Sequence, residues 1–146
     1  MALLTKVGMI IIMEHNLEDA ITFYKSLGLT LKFHLKNQWA EFALGDMKVG
    51  LCPSSDSQEN KVTGIVFEVD DLRAFYEKHK KDGSINFLCE PVVKVHGIMV
   101  SFKDPSGNIL DLYQPTPEKV NELVRKKTIA DDECCQSKKE CCKAEA

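Results

Sequence analysis

"FKDPSGNILDLYQP", from Phe102 to Pro115, is the stretch of sequence that decides the fold. Its central "DPSG" has proline and glycine where a type I turn favours them, and apolar residues alternate with polar ones on either side. The pattern predicts two antiparallel strands joined by a tight turn. It also leaves one carboxylate, Asp111, in the second strand. Three readings of Asp111 are open: a metal ligand, a catalytic acid, or a polar residue on a solvated strand face.

Upstream of this stretch the chain repeats one helical segment. "HNLEDAITFYKSLG" (His15 to Gly28) and "DDLRAFYEKHKKDG" (Asp70 to Gly83) both carry apolar residues at helical spacing and end on glycine. Asn16 and Asp71 are predicted to cap the two helices. The repeat indicates two copies of one structural module.

Each helix follows an apolar strand and precedes three extended segments, so each module reads strand, helix, strand, strand, strand. The fold class is therefore predicted as α+β, with tandem βαβββ modules over residues 6–53 and 61–115 and "SSDSQEN" as the linker between them. The whole domain is expected over residues 1–117. A C-terminal helix is expected over residues 118–128, followed by a disordered, cysteine-rich tail over residues 129–146.

The net charge, the apolar run near the N-terminus and the positions of the cysteines limit the classes of function that fit this sequence. The net charge is −3, which gives no indication of the basic surface of a nucleic-acid-binding protein. The apolar run 7–13 is too short to span a bilayer and has no signal-peptide pattern after it, so we expect no membrane partner and a cytoplasmic location. Four of the six cysteines lie in the last thirteen residues, where they would staple a fold poorly.

The module order, the "FY" pair at Phe23 and Tyr24, and the "FKDPSGNILDLYQP" ending together resemble the vicinal oxygen chelate superfamily. This superfamily contains glyoxalases, extradiol dioxygenases, fosfomycin-resistance enzymes and bleomycin-resistance proteins. The resemblance covers Lys6 to Pro115. It implies that the strands form a curved, cup-shaped mixed sheet around a cavity.

Metal-using members of the superfamily place His or Glu ligands on the first and last strands of each module. The corresponding positions here are Met9, Gly50, Gly64 and Asp111. Glycine has no side-chain donor, and a lone thioether is a poor ligand for hard divalent ions. We therefore predict no metal centre in the domain and no cofactor.

Strand alternation predicts which side chains line the cavity. His96 is added because the resemblance places its region at the cavity mouth. Trp39 has two readings, stacking on a planar ligand or packing in the core, and Glu68 either faces the cavity or lies on a solvated edge. The predicted ligand-binding residues are Met9, Ile11, Trp39, Gly50, Cys52, Gly64, Glu68, His96, Asp111 and Tyr113.

A mostly apolar lining with a few polar groups suits a small organic ligand. The sequence is nearest to the metal-free, bleomycin-resistance-like members, which implies a homodimer that binds a small molecule. Near-neutral charge over residues 1–130 departs from their acidic groove. Two alternatives remain open. One is a glyoxalase-type lyase, isomerase or dioxygenase that uses Asp111 with His96 or Glu68. The other is soft-metal or metalloid binding by the tail cysteines Cys134, Cys135, Cys141 and Cys142.

Overall fold

The α+β class and the two predicted modules are confirmed by a computed structural model, which describes residues 3–118 and residue 122. The first module consists of β1 Ile10–Glu14, α1 Leu17–Ser26, β2 Thr30–Leu35, β3 Trp39–Leu44 and β4 Met47–Pro53. The second consists of β5 Lys61–Glu68, α2 Leu72–Asp82, β6 Asn86–Phe87, β7 Val92–Lys94, β8 Gly97–Lys103 and β9 Asn108–Pro115. The chain divides into two compact units. The first unit runs up to Thr63 and includes the turn 104–108, and the second runs from Gly64 to Lys103 and from Ile109 onward.

Both helices begin and end where the sequence predicts. The side chain of Asn16 accepts a hydrogen bond from the backbone N–H of Asp19, and that of Asp71 accepts one from Ala74, so each satisfies an otherwise unpaired N–H of the first turn. Gly83 ends α2 in the left-handed conformation, with φ of 71°. Any other L-residue would be strained there.

The first sheet has the strand order β1-β4-β3-β2, with β1 parallel to β4 and the other pairs antiparallel. One face of this sheet and the apolar side of α1 form the core of the first unit, because alternate strand residues point to that face. The core residues of this unit are Ile12, Leu17, Ala20, Ile21, Tyr24, Leu29, Ala40, Phe42, Val49 and Leu51.

The second sheet has the order β5-β9-β8-β6, with β7 also paired to β8. Phe102 of β8 lies opposite Phe87 of β6 and Leu110 of β9, so these three side chains share a face. Tyr76 of α2 contacts Phe87, with ring centroids 4.8 Å apart, which places α2 on that face. Ser101 and Asp111 pair on the opposite face.

The second module departs from the predicted pattern in one strand. The expected strand "INFLCEP" (Ile85 to Pro91) forms only the short strand β6, and a further short strand that the sequence did not predict, β7, follows after residues 88–91. Pro91 explains the break, since a proline has no N–H to donate to the sheet.

Pro117, Glu118 and Glu122 are helical, at the position of the predicted C-terminal helix 118–128. The rest of that helix and the cysteine-rich tail 129–146 lie outside the described residues. Within the described part of the chain, no helix combines the length and the apolar character needed to cross a bilayer.

Candidate functional site

The face of the first sheet that points away from α1 carries four of the predicted ligand-binding residues. The strand register brings these residues together. Ile11 of β1 lies opposite Gly50 of the neighbouring β4. Trp39 is on β3, and the next residue, Ala40, pairs with Leu51 of β4. Ile11 and Met13 remain 51% and 44% exposed although both are apolar. We call this surface the Trp39 face, and it consists of Ile11, Met13, Trp39, Glu41, Gly50 and Cys52, with the half-buried Glu41 directly opposite Gly50.

Met9 is not part of the strand that was expected to present it. The pairing of β1 with β4 begins at Ile10, opposite Val49, so Met9 precedes the sheet and is half-buried. The apolar run 7–13 was expected to form one strand, but only its residues from Ile10 onward pair with β4.

The Trp39 indole lies directly over Gly50, where a longer side chain would otherwise stand. A Cβ atom added to Gly50 would lie 2.2 Å from Cη2 and 2.4 Å from Cζ2 of Trp39, so the ring rests directly on the glycine backbone. Its neighbour Ala40 is fully buried on the α1 side, which places the indole on the opposite face from that core. The ring itself is half-buried. Its unburied surface is a flat apolar area on the sheet.

We expect the substitution Gly50→Ala to displace the indole and to destabilise the protein by about 1–3 kcal/mol, because overpacking at a close contact forces side chains out of position. Trp39 is the only tryptophan in the chain, so its fluorescence emission maximum and quenching by iodide report the displacement directly. Gly8→Ala is the matched control, since a Cβ there meets nothing within 4 Å. Identical emission spectra for the Gly50→Ala protein and the unmodified chain would contradict the prediction.

In the second unit, Asp111 is engaged by a partner that the sequence did not suggest. Ser101 lies directly opposite on β8, and its hydroxyl donates to Oδ1 of Asp111 at 2.5 Å. Ser101 is buried and Asp111 is half-buried. The pair holds the carboxylate in one orientation. Alternation within β8 gives no signal for this contact, because it does not fix which β8 residue lies opposite Asp111.

Three more predicted residues lie on this face. The hydroxyl of Tyr113 forms a hydrogen bond with the carboxylate of Glu68, and the pKa of Tyr113 lies above its ordinary value, first because of partial desolvation and then because of Glu68. Gly64 has φ of 74° and open space where a Cβ would stand. We call this surface the Asp111 face, and it consists of Gly64, Val66, Glu68, Ser101, Asp111 and Tyr113.

His96 is not on a strand. It lies exposed in the turn between β7 and β8, where its backbone carbonyl accepts a hydrogen bond from the N–H of Thr116.

The four positions that the resemblance assigns to metal ligands do not fit a glyoxalase-type centre. Two are glycines, one of them covered by an indole, and the thioether of Met9 precedes the strand. Only Asp111 offers an oxygen donor, and it accepts from Ser101. No group of three or more His, Cys, Asp or Glu side chains with metal-binding geometry occurs within residues 3–118 and 122. We therefore assign no chemical step to a metal in this domain.

A buried polar cluster in the first unit was missed by the sequence reasoning. Asp104 is 5% exposed and is the acceptor at its centre. Its Oδ1 accepts from the backbone N–H groups of Ser106 and Asn108, both at 3.0 Å, and its Oδ2 accepts from the Tyr24 hydroxyl at 2.8 Å and from Asn108 Nδ2 at 3.0 Å. The "DPSGN" turn is thereby attached to α1.

Glu14 completes this cluster. It is fully buried at the end of β1, and its Oε2 lies 3.2 Å from Asn108 Nδ2. Burial raises the pKa of Glu14 to about 9, and the nearby Asp104 adds to the rise, while Ser106 and Lys61 oppose it. The carboxyl is therefore protonated at neutral pH. Strand alternation with buried Ile12 was the sequence signal for its position.

Comparison with known proteins identifies the family. The model of the glyoxalase/bleomycin resistance protein/dioxygenase superfamily matches residues 6–112, so the chain belongs to that superfamily. A Bacillus subtilis protein, YetH, described as uncharacterised, is 43% identical over 51 residues. That stretch covers 35% of this chain and 42% of YetH, less than half the length of this relative.

Solved structures share the fold at low sequence identity. The fosfomycin resistance protein FosX of Listeria monocytogenes has a TM-score of 0.66 and 15% identity, covering 81% of this chain and 99% of that one. The lactoylglutathione lyase of Agrobacterium tumefaciens gives 0.62 and 16%, covering 77% and 96%. A bleomycin resistance determinant encoded on transposon Tn5 gives 0.58 and 22%, covering 76% and 98%.

Proposed function

We propose that this member of the glyoxalase/bleomycin resistance protein/dioxygenase superfamily binds a small organic molecule without a metal centre in the domain. The observation that carries the proposal is the Trp39 indole lying on Gly50, at a position where metal-using relatives are expected to present a ligand. An aromatic plane at that position supports binding by burial and stacking rather than by coordination.

The Trp39 face has the chemistry for such a ligand. Ile11 and Met13 are exposed beside the indole, and covering apolar surface stabilises a complex by about 25 cal/mol per Å² before the costs of association. A planar, largely apolar molecule is the class that this surface favours.

The Asp111 face in the second unit presents polar groups of a different kind. The Ser101–Asp111 and Tyr113–Glu68 pairs present oriented hydroxyl and carboxylate oxygens on a half-buried strand surface. Oriented polar groups of this kind fix the orientation of a ligand more than they add to its affinity. We propose that, within the second unit, these groups hydrogen-bond to polar atoms of a ligand bound on this face.

The bleomycin resistance determinant and the fosfomycin resistance protein share this fold, and both are named for resistance to small organic drugs. We extend the proposal to a cytoplasmic homodimer on the same family grounds. Both points are tested by the molecular mass in solution and by the location of the protein in fractionated cells.

We expect a library of planar organic compounds to include ligands that quench Trp39 fluorescence and raise the melting temperature. A ligand at 100 times its Kd stabilises the folded state by about 2.7 kcal/mol. Ile11→Asp should weaken such a ligand tenfold or more, because it places a charge on the apolar surface. Val93→Asp is the matched control, since Val93 is also an exposed apolar strand residue, at 49% against 51% for Ile11. Equal losses in both variants would overturn the assignment to the Trp39 face.

Metal analysis of protein purified without chelator or affinity tag separates this proposal from its two alternatives. About one equivalent of nickel, zinc or iron that survives deletion of residues 131–146 would instead support a metal-dependent enzyme. Metal that is lost with the deletion would place metal binding in the cysteine-rich tail. Neither form should carry a stoichiometric metal if the proposal is correct.

A further inference from the structure

A cavity lies within the second unit, on the other side of its sheet from the Asp111 face. Its volume is about 350 Å³, at the lower end of the range for small-molecule sites. It is formed by the C-terminal half of α2 and the segment from Ile85 to Glu90. Phe87 lines it and pairs with Phe102, on the α2 side of the second sheet, whereas Asp111 lies on the other side.

Aromatic and aliphatic side chains lie at the base of this cavity. Tyr76 and Ile85 are 5% and 6% exposed, and the Tyr76 and Phe87 rings meet at 57° with their centroids 4.8 Å apart. These side chains are held by packing, so the base is formed before any ligand arrives. Phe87 is half-buried, so its ring offers the apolar surface that a ligand's side chain would cover.

The rim of the cavity carries one charge of each sign. Lys80 Nζ donates to the Tyr76 hydroxyl at 2.8 Å and lies 5.1 Å from the centre of that ring. Glu90 lines the same cavity, and its attraction contributes, after the Tyr76 hydrogen bond, to a raised pKa for Lys80. Both side chains are exposed, so each can reorient toward a ligand.

We propose that this cavity binds a free α-amino acid with an apolar side chain. The ligand's carboxylate pairs with the Lys80 ammonium, its ammonium pairs with the Glu90 carboxylate, and its side chain lies on Tyr76 and Phe87. A ligand with only a negative charge would face Glu90, and one with only a positive charge would face Lys80. The zwitterion is the class that satisfies both charges while covering the apolar surface at the base.

The test uses L-phenylalanine as the probe and Cys89 as the reporter, because this half-buried thiol lines the cavity. We expect saturating L-phenylalanine to slow alkylation of Cys89 by iodoacetamide at least fivefold, measured by peptide mass analysis of the full chain. Cys52, also half-buried but in the first unit, is the internal control and should react at an unchanged rate. Phenethylamine lacks the carboxylate and 3-phenylpropanoate lacks the ammonium, so neither should protect Cys89 at the same concentration.

Two variants test whether Lys80 binds the carboxylate of the ligand and Glu90 its ammonium group. Lys80→Met keeps the aliphatic stem over Tyr76, Glu90→Gln keeps the shape, and each should raise the L-phenylalanine concentration for half-protection at least tenfold. Lys81→Met and Glu77→Gln are the matched controls on α2, outside this cavity, and should leave protection unchanged. The proposal is overturned if L-phenylalanine gives no protection at about 20 mM, or if the Lys80→Met and Glu90→Gln proteins are protected as well as the unmodified chain. Trp39 fluorescence is recorded in the same titration, and an L-phenylalanine dependence of Cys89 protection without a change in that fluorescence separates this cavity from the proposed ligand on the Trp39 face.

Discussion

Asp104→Ala is expected to destabilise the protein by about 3–5 kcal/mol, a large fraction of the stability of a domain of this size. The substitution removes the acceptor for the Tyr24 hydroxyl, for the backbone N–H groups of Ser106 and Asn108, and for the side-chain amide of Asn108. A buried donor that loses its partner costs about 1–3 kcal/mol. Urea unfolding followed by circular dichroism measures the loss.

Two further variants show whether the loss has this origin. Tyr24→Phe removes one of the donors together with its need for a partner, and we expect it to cost about 1 kcal/mol. Asp46→Ala changes an exposed turn carboxylate in the same unit and should stay within about 0.5 kcal/mol of the unmodified chain. An Asp104→Ala protein as stable as the Asp46→Ala protein would refute the central role of Asp104.

The "DPSG" stretch shows which structural features local sequence can predict and which it cannot. The turn itself was predicted, because proline and glycine act through backbone conformations that depend on near neighbours. The structure confirms it with a hydrogen bond from the Gly107 N–H to the Asp104 carbonyl at 3.1 Å. The bond from Tyr24, which lies 80 positions earlier, was not predicted. Aspartate is common at the first position of such a turn, so nothing local marks this one as buried.

The candidate site follows the same division between local and long-range information. Alternation placed Ile11, Gly50 and Asp111 on the expected strand faces, since the side-chain period of a strand is fixed. The Ser101–Asp111 contact and the position of the indole on Gly50 depend on the register between neighbouring strands. The sequence of one strand alone does not set that register. The sequence predicts only that Gly50 has no ligating side chain, and the structure shows that the indole of Trp39, from β3, occupies that position.

Glu14 shows what a single buried carboxyl does to the pH dependence of stability. Its pKa is raised from about 4.5 to about 9, chiefly because burial disfavours the charged form. The folded state therefore holds a proton that the unfolded state releases above pH 4.5. This contribution to stability is fully present below pH 4.5, falls as the pH rises, and is lost once the pH passes about 9.

Glu14→Gln should remove this dependence and stabilise the protein at alkaline pH. Glutamine is neutral, keeps the shape, and its Oε1 can still accept from Asn108 Nδ2. The gain over the unmodified chain should be small near pH 4.5. It should grow with pH to roughly 4–5 kcal/mol at pH 8, since that pH lies about 3.5 units above the unfolded pKa and one pKa unit corresponds to about 1.4 kcal/mol. Urea unfolding at pH 5, 6.5 and 8 measures it, and Glu59→Gln, an exposed glutamate of the same unit, is the control expected to show no change. The prediction is contradicted if the two proteins differ in free energy of unfolding by the same amount from pH 5 to pH 8. Glu14 would then be ionised in the folded state, and the description of the cluster as a neutral carboxyl beside Asp104 would be wrong.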